Sequence, residues 1–171
     1  NGKDGLNIGA RHITVSTCGI LDGIRAFGAE PEQFILAVSL HSAIQSTRNK
    51  LMPGVKKYTL LRLHEALQLY TEKTGRRPTY EYAMIEGVND TNPEMQALCD
   101  FCEGTLCHVN LIQLNDIEGS PLKPSPIHKV EDLQRRLESR GIETTIRNSR
   151  GNDIDAACGQ LKQRFKVQKN A

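Results

Sequence analysis

Five short runs of the chain have the β-branched and apolar composition of strands, and helical segments separate most of them. The runs are residues 12–17, 35–40, 79–85, 108–113 and 143–147. Strands that alternate with helices in this way predict an α/β fold with a parallel sheet and right-handed crossovers. Such a sheet usually buries both faces and binds ligands at the carboxyl ends of its strands.

Apolar residues recur at helical spacing between these runs. The predicted helices cover residues 21–29, 59–73, 93–103 and 128–139, and a last one begins near Asp155. Gly75 and Gly141 stand just past two helix ends, and Pro93 stands at a helix start. Residues 119–126 are rich in Pro, Ser and Gly and are predicted to form a loop. No composition shift divides the chain, so we expect a single domain over residues 1–171.

The composition is that of a globular chain. It has 171 residues, of which 38% are hydrophobic and 25% are charged, and a net charge of +2. No apolar run is long enough to cross a bilayer and no signal segment opens the chain, so we expect a cytoplasmic protein with no membrane partner. Because the chain starts with Asn1 rather than Met, we expect a fragment or a processed product. Basic clusters such as Lys56-Lys57 are compatible with RNA but are more often solvated surface.

The five cysteines are odd in number and widely spaced, which fits a reducing cytosol better than a disulfide framework. Cys99 and Cys102 form a C-x-x-C pair, which raises a zinc hypothesis. Their spacing also places them on the apolar face of a predicted helix, and no second C-x-x-C exists. We therefore favour the apolar-face interpretation and predict no metal site in this chain.

Polar side chains cluster where the first four predicted strands end. The residues are Ser16, Thr17, Ser39, His41, Ser42, Asn89, Asp90, Asn115 and Asp116. Gly19 and Gly87 would let the backbone approach a ligand closely. Loops are polar in any case, but four polar strand ends at one rim favour a small-molecule site.

Residues 151–161 place Cys158 among small residues, just inside the last predicted helix. Asp153 or Asp155 would cap that helix, and the small neighbours leave the thiol little steric cover. The positive end of the helix dipole favours the thiolate, so Cys158 is a candidate nucleophile. A small buried hydrophobe is the alternative interpretation.

Several separated strings of the chain resemble one protein family in order and spacing. They are Val15-Ser16-Thr17-Cys18-Gly19, Ser39-Leu40-His41, Glu81-Tyr82-Ala83-Met84, Gly87-Val88-Asn89-Asp90, Asn110-Leu111-Ile112 with Asn115, Arg147, Arg150-Gly151 and the string from Asp153 to Leu161. The family is that of the radical S-adenosylmethionine (SAM) enzymes that methylate an adenine of large-subunit ribosomal RNA. The resemblance runs from about residue 13 to residue 161.

This resemblance implies a SAM pocket and a catalytic cysteine. The pocket would be lined by Ser16, Ser39, Leu40, His41 and Asn115, and Cys158 would carry the methyl group. In the family, one SAM methylates this cysteine, and a 5′-deoxyadenosyl radical from a second SAM abstracts hydrogen from that methyl group. The carbon radical adds to the adenine, and a different cysteine resolves the crosslink. The target is carbon 2 in the commoner group and carbon 8 in a sister group; the residues leave that choice open, as they do a tRNA substrate.

Parts of the family pattern are missing from this sequence. The C-x-x-x-C-x-x-C motif that holds the 4Fe-4S cluster does not occur, nor do the Gly-Glu strand, the resolving cysteine or the N-terminal RNA-binding domain. Gln113 and Asp116 stand where the family usually has prolines. The resemblance therefore implies the C-terminal part of a partial (β/α)6 TIM-like radical SAM barrel over about residues 8–118. A helix-strand-helix tail over about residues 119–171 would follow it.

Two functions are consistent with these observations. In the first, the chain belongs to an rRNA adenine methyltransferase that needs a 4Fe-4S cluster and an external electron donor, and alone it is inactive and binds no iron. In the second, it is a SAM- or RNA-binding module that has lost the cluster and performs no radical chemistry. A truncated barrel also exposes its first strand, so we expect self-association through that edge.

Overall fold

A five-stranded parallel sheet forms the centre of the computed structural model, which describes residues 8–114 and 120–147. The strands are β1 (Thr14–Thr17), β2 (Ile35–Ser39), β3 (Thr79–Met84), β4 (His108–Gln113) and β5 (Glu143–Arg147). They lie side by side in chain order, and each pairs in parallel with the next. The predicted α/β fold with a parallel sheet is thereby confirmed.

Within the described residues, five α-helices lie between the strands. They are α1 (Leu21–Phe27), α2 (Gln45–Leu51), α3 (Leu60–Thr74), α4 (Asn92–Cys102) and α5 (Ile127–Glu138). Helix α3 begins after Thr59, whose side chain accepts a hydrogen bond from the Arg62 N–H, and ends at Gly75 in the left-handed conformation. Four helices lie within two residues of their predicted bounds. Helix α2 was not predicted, because its polar sequence has no apolar stripe.

The two faces of the sheet differ in polarity. One face packs against the helices and supplies the strand side chains of the core, which include Leu36, Val38, Tyr80, Tyr82, Met84, Val109 and Leu111. On β3 and β4 the alternate residues, among them Thr79, Glu81, His108 and Asn110, are only half-buried. In the described residues this sheet departs from the usual parallel sheet with two buried faces, because period-two alternation puts the apolar residues on one face only.

Strand β1 forms one edge of this sheet. Within the described ranges its only strand neighbour is β2, and Val15 in its middle is 40% exposed. An unpaired strand edge is a template for further pairing. Self-association through this edge stays a prediction.

The cysteines of α4 belong to the core. Cys99 and Cys102 are 1% and 0% exposed, on the helix face that packs against the sheet. Burial raises the pKa of the Cys99 thiol, so it stays protonated near neutral pH. These positions agree with the apolar-face interpretation.

Two of the predicted site residues, Asn115 and Cys158, lie outside the described residues, as does the helix expected near Asp155. In the ranges 8–114 and 120–147, no helix combines the length and the apolar character needed to span a membrane.

Candidate functional site in the polar cleft

The open face of the sheet is a concave cleft of about 640 Å³. All five strands contribute to its lining, together with His41, two residues beyond β2; the lining residues are Thr14, Ser16, Ile35, Ser39, His41, Thr79, Glu81, His108, Asn110, Ile112, Thr145 and Arg147. Hydroxyl, carboxylate, amide, imidazole and guanidinium groups thus converge on one space. A cavity with this lining suits a polar ligand with several hydrogen-bonding atoms.

Three of the predicted pocket residues meet in this cleft. Ser16 on β1, Ser39 on β2 and His41 beyond β2 all line it. Leu40 differs, because its side chain is 0% exposed in the core and its N–H donates to the Glu81 carbonyl at 3.0 Å. Its side chain therefore cannot reach a ligand in the cleft, and only its main chain remains for such a contact.

His41 is held in one conformation and one tautomer. Its φ of 55° is left-handed, which is rare for a residue other than glycine. Its N–H donates to the Glu81 carbonyl at 3.3 Å, and its Nδ1 accepts the Ala83 N–H at 3.1 Å. Since Nδ1 is the acceptor, the proton of the neutral ring resides on Nε2.

The electrostatic surroundings of His41 also favour the neutral ring. Burial, and then the nearby Arg48 guanidinium, lower the pKa of His41 to about 4. At neutral pH the side chain is therefore a hydrogen-bond donor through Nε2 and not a cation. It can donate to a ligand acceptor without carrying charge into the cleft.

Asn89 fixes the backbone around His41. Its Nδ2 donates to the carbonyls of both His41 and Ala83 at 2.7 Å, and its Oδ1 accepts the Ile85 N–H at 2.7 Å. The Tyr82 hydroxyl donates to the Asn89 carbonyl at 2.9 Å. Asn89 is 0% exposed, so this polar rim residue acts within the protein and does not face the cleft.

Asp90 anchors the same loop from its other side. Its carboxylate accepts the Gly87 N–H, the Ser125 hydroxyl and the Lys129 ammonium at 2.8, 2.8 and 3.0 Å. Burial alone would raise the pKa of Asp90, but these hydrogen bonds and the Lys129 charge outweigh it, and the net shift is downward. The buried, ionised Asp90 carboxylate thus connects the loop after β3 to the start of α5 through hydrogen bonds.

Arg48 anchors the rim between β1 and β2. It is 1% exposed, and its Nη2 donates to the carbonyls of Cys18 and Ser39 at 2.9 and 3.3 Å. Gly19 has a φ of 93°, and a Cβ there would lie 3.0 Å from Nη2 of Arg48. Gly19 is therefore required by its conformation and by the arginine packed against it, whether or not a ligand approaches.

A ladder of polar side chains crosses the cleft, and of its members only Ser39 was predicted as part of the site. The register aligns Ser39, Glu81, Asn110 and Thr145 across four strands. Asn110 Nδ2 donates to Glu81 Oε2 at 2.9 Å, and the Thr145 hydroxyl donates to Asn110 Oδ1 at 3.2 Å. Burial raises the pKa of Glu81, as expected of a carboxylate on the floor of a cleft. The alternation of polar and apolar residues along β3 was the signal that could have identified it.

The chemistry of the cleft fits SAM but not an iron–sulfur cluster. Hydroxyl and imidazole donors with a carboxylate acceptor match the ribose, adenine and amino-acid groups of SAM. A cluster needs several thiolates around one space. In the described part of the chain no group of three or more His, Cys, Asp or Glu residues could hold a metal ion.

Comparison with known proteins gives a consistent picture. No family model matches the chain. A probable dual-specificity RNA methyltransferase, RlmN, of Clostridium perfringens is 43% identical over 165 residues, which are 96% of this chain and 48% of the relative. The protein of the same name from Geobacillus thermodenitrificans is 47% identical over 95% of this chain and 44% of the relative. The chain thus spans about half the length of the curated relatives it matches.

Solved structures agree with the sequence relatives. A radical SAM methyltransferase from Sphaerobacter thermophilus superposes with a TM-score of 0.88 and 43% identity, over 93% of this chain and 47% of that one. A domain of a pyruvate-formate lyase-activating enzyme from Bacteroides vulgatus shares the fold, with a TM-score of 0.62 at 14% identity over 78% of this chain and 80% of that one. With its parallel α/β sheet and polar cleft, the chain belongs to the radical SAM methyltransferase family, and its curated relatives are named dual-specificity RNA methyltransferases.

Proposed function

We propose that this chain is the C-terminal half of a SAM-dependent methyltransferase that acts on RNA. The observation that carries the proposal is the convergence of Ser16, Ser39 and His41 on one polar cleft. The curated relatives, 43% identical and more, are named RNA methyltransferases. A pocket that binds the methyl donor accounts for these residue types at the carboxyl ends of adjacent parallel strands.

SAM would be bound by side chains that the fold has already oriented before SAM arrives. The Ser16 and Ser39 hydroxyls line the cleft from β1 and β2 and can both donate and accept. His41 would donate from Nε2 to an acceptor atom of the ligand, since its Nδ1 is occupied by the Ala83 N–H. Asn115 would supply a further amide contact. When bound, SAM supplies the methyl group.

Cys158 would accept that methyl group as the catalytic nucleophile. Its thiolate would attack the methyl carbon, the sulfonium–carbon bond would break, and S-adenosylhomocysteine would leave with the electron pair. A neighbourhood of small residues and a helix N-terminus would favour the thiolate. The carbon of that methyl group would then be the group delivered to RNA, and the cysteine side chain would stay in the protein.

The 4Fe-4S cluster belongs, in this proposal, to the preceding half of the complete protein. None of the described cysteines forms a site for it. The isolated chain should therefore take up no iron on anaerobic reconstitution and should transfer no methyl group to RNA. An external electron donor would serve the complete enzyme.

Large-subunit ribosomal RNA is the proposed substrate, with carbon 2 of an adenine as the methylated atom. The relatives' names specify dual specificity, which supports tRNA as a second substrate. A cytoplasmic location follows from such substrates.

The test is SAM binding by the complete protein that contains this chain. Replacing Ser39→Ala removes a cleft hydroxyl and should weaken SAM binding about tenfold, the effect of a lost hydrogen bond. Ser46→Ala, on the exposed surface of α2, is the matched control and should bind SAM like the wild type. Unchanged affinity in the Ser39 variant would contradict the pocket assignment. SAM binding without methyl transfer to RNA would favour the cluster-less module.

A further inference from the structure

The part of the chain that contains β2, α2 and the start of α3 carries an unusual distribution of charge. From Gln33 to His64 the sequence contains five Lys and Arg residues and no Asp or Glu. The whole chain has 20 acidic residues against 22 basic ones, so an acid-free stretch of this length is a local feature. Its local charge is therefore positive, which suits the binding of a polyanion.

This segment lies at the same rim as the polar cleft. It leaves the carboxyl end of β2, forms α2, and reaches the start of α3, which returns along the sheet to the amino end of β3. The side chain of Arg48 fastens α2 to the rim through the Cys18 and Ser39 carbonyls. Residues exposed between β2 and the start of α3 consequently lie toward the carboxyl ends of the strands, the end of a parallel sheet where ligands usually bind.

Four cations of the segment are exposed and have no ion-pair partner among the described residues: Lys50, Lys56, Lys57 and Arg62. Several surface arginines elsewhere are neutralised within the fold. Arg77 pairs with Glu143, Arg136 with Asp132 at 2.7 Å, and Arg140 with Asp100 at 2.9 Å. Lys50, Lys56, Lys57 and Arg62 are thus available for an external anion.

The backbone that carries these cations is well anchored. Val55 is buried at the end of a short 3-10 turn, Pro53–Val55, and the Leu60 N–H donates to Gln45 Oε1 at 2.6 Å. Lys57 Nζ lies 5.0 Å from the centre of the Tyr58 ring. Anchored cations lose less conformational entropy on binding than cations on a mobile loop.

We propose that Lys50, Lys56, Lys57 and Arg62, called here the rim cations, bind phosphates of the RNA substrate next to the cleft. This inference rests on the proposed RNA substrate and adds to it the surface that binds the backbone. Phosphate contacts fix the position and orientation of a nucleic acid without reading its sequence. The rim cations would bind the RNA backbone while the target nucleotide enters the cleft.

The experiment compares Lys56→Ala/Lys57→Ala with Lys73→Ala in the complete protein. Lys73 is exposed, has no ion-pair partner within residues 8–114 and 120–147, and lies at the opposite end of α3, so it is the matched control. The RNA affinity of each protein is measured over a series of salt concentrations with a ribosomal RNA fragment. Loss of two phosphate contacts should weaken binding roughly tenfold or more near physiological salt and reduce the slope of log K against log salt by about 2.

The readouts separate this inference from the proposed function. If the wild type methylates RNA but the double variant keeps wild-type affinity and salt slope, the rim surface is refuted while the proposed function stands. If the double variant loses stability instead of RNA affinity, the cations pair with carboxylates elsewhere in the protein, and the inference fails. If the wild type neither binds nor methylates RNA, both fail. SAM affinity should be the same in all three proteins, since no rim cation lines the cleft.

Discussion

His41 shows how one residue can combine backbone strain, a fixed tautomer and a suppressed charge. Its left-handed φ is maintained because Asn89 donates a hydrogen bond to its carbonyl and the Ala83 N–H donates one to its ring. Such strain persists only where the surroundings over-determine it, and it concentrates at functional sites. A neutral imidazole with its proton on Nε2 is the outcome, and it points to ligand binding rather than acid–base chemistry.

The depressed pKa of His41 predicts a dependence of stability on pH. The folded value of about 4 is below the unfolded value of 6.5, so the unfolded chain binds more protons between these limits. The free energy of unfolding should therefore decrease as pH falls from about 6.5 to about 4, by about 3 kcal/mol for this group. Denaturant unfolding at a series of pH values measures it.

His41→Asn is the variant that isolates this effect. Asparagine tolerates the left-handed conformation, and its Oδ1 can accept the Ala83 N–H as Nδ1 does, but it does not titrate. Stability near pH 7 should change by less than about 1 kcal/mol, and the acid-side loss should shrink relative to the wild type. An identical pH profile in the two proteins would show that His41 is not the group responsible. The variant should also bind SAM more weakly, because the Nε2 donor is lost.

At the scale of the element, the loop after β3 is a structural clamp for the rim. Asn89 joins the end of β3 to His41, which lies just beyond β2, and Asp90 joins the loop to α5. The loop thus sets the position of His41 in the cleft, although neither Asn89 nor Asp90 lines the cleft. Buried polar networks of this kind specify one arrangement when every member is paired.

Asn89→Ala should be strongly destabilising. It would leave the His41 and Ala83 carbonyls and the Ile85 N–H without their buried partner, at a cost of about 2 to 4 kcal/mol of unfolding free energy. Asn92→Ala, which removes an exposed contact with Arg136, should cost less than about 0.5 kcal/mol. Chemical denaturation compares the two variants. A similar small effect in both would mean that Asn89 does not hold the rim.

Sequence patterns predicted the regular elements better than the orientation of the rim side chains. Helix α3 could be predicted closely because its cap at Thr59 and its end at Gly75 are local signals. Helix α2 could not be predicted, because tertiary contacts of Arg48 hold its polar sequence in place.

Asn89 and Asp90 were expected to face a ligand, but their inward orientation depends on partners distant in the chain. Ser16, Ser39 and His41 line one cleft, and their role as SAM ligands stays a proposal.

At the scale of the whole molecule, the sheet has one buried face and one polar face, which is the arrangement of a barrel wall. A five-stranded wall with an open concave side leaves room for the rest of a barrel, and the relatives are about twice as long as this chain. This geometry supports the proposal that the two halves of the complete protein have different roles. The described half would bind the methyl donor and the RNA backbone, and the preceding half would supply the cluster.

The central claim is that the complete protein transfers a methyl group to RNA through Cys158, and peptide mass spectrometry tests it directly. The complete protein is purified from cells, digested, and the peptide containing Cys158 is analysed by fragmentation. The account predicts the mass of one added methyl group localised to the Cys158 sulfur, and its absence in a Cys158→Ala variant. An unmodified Cys158 in a preparation that methylates RNA would contradict the account.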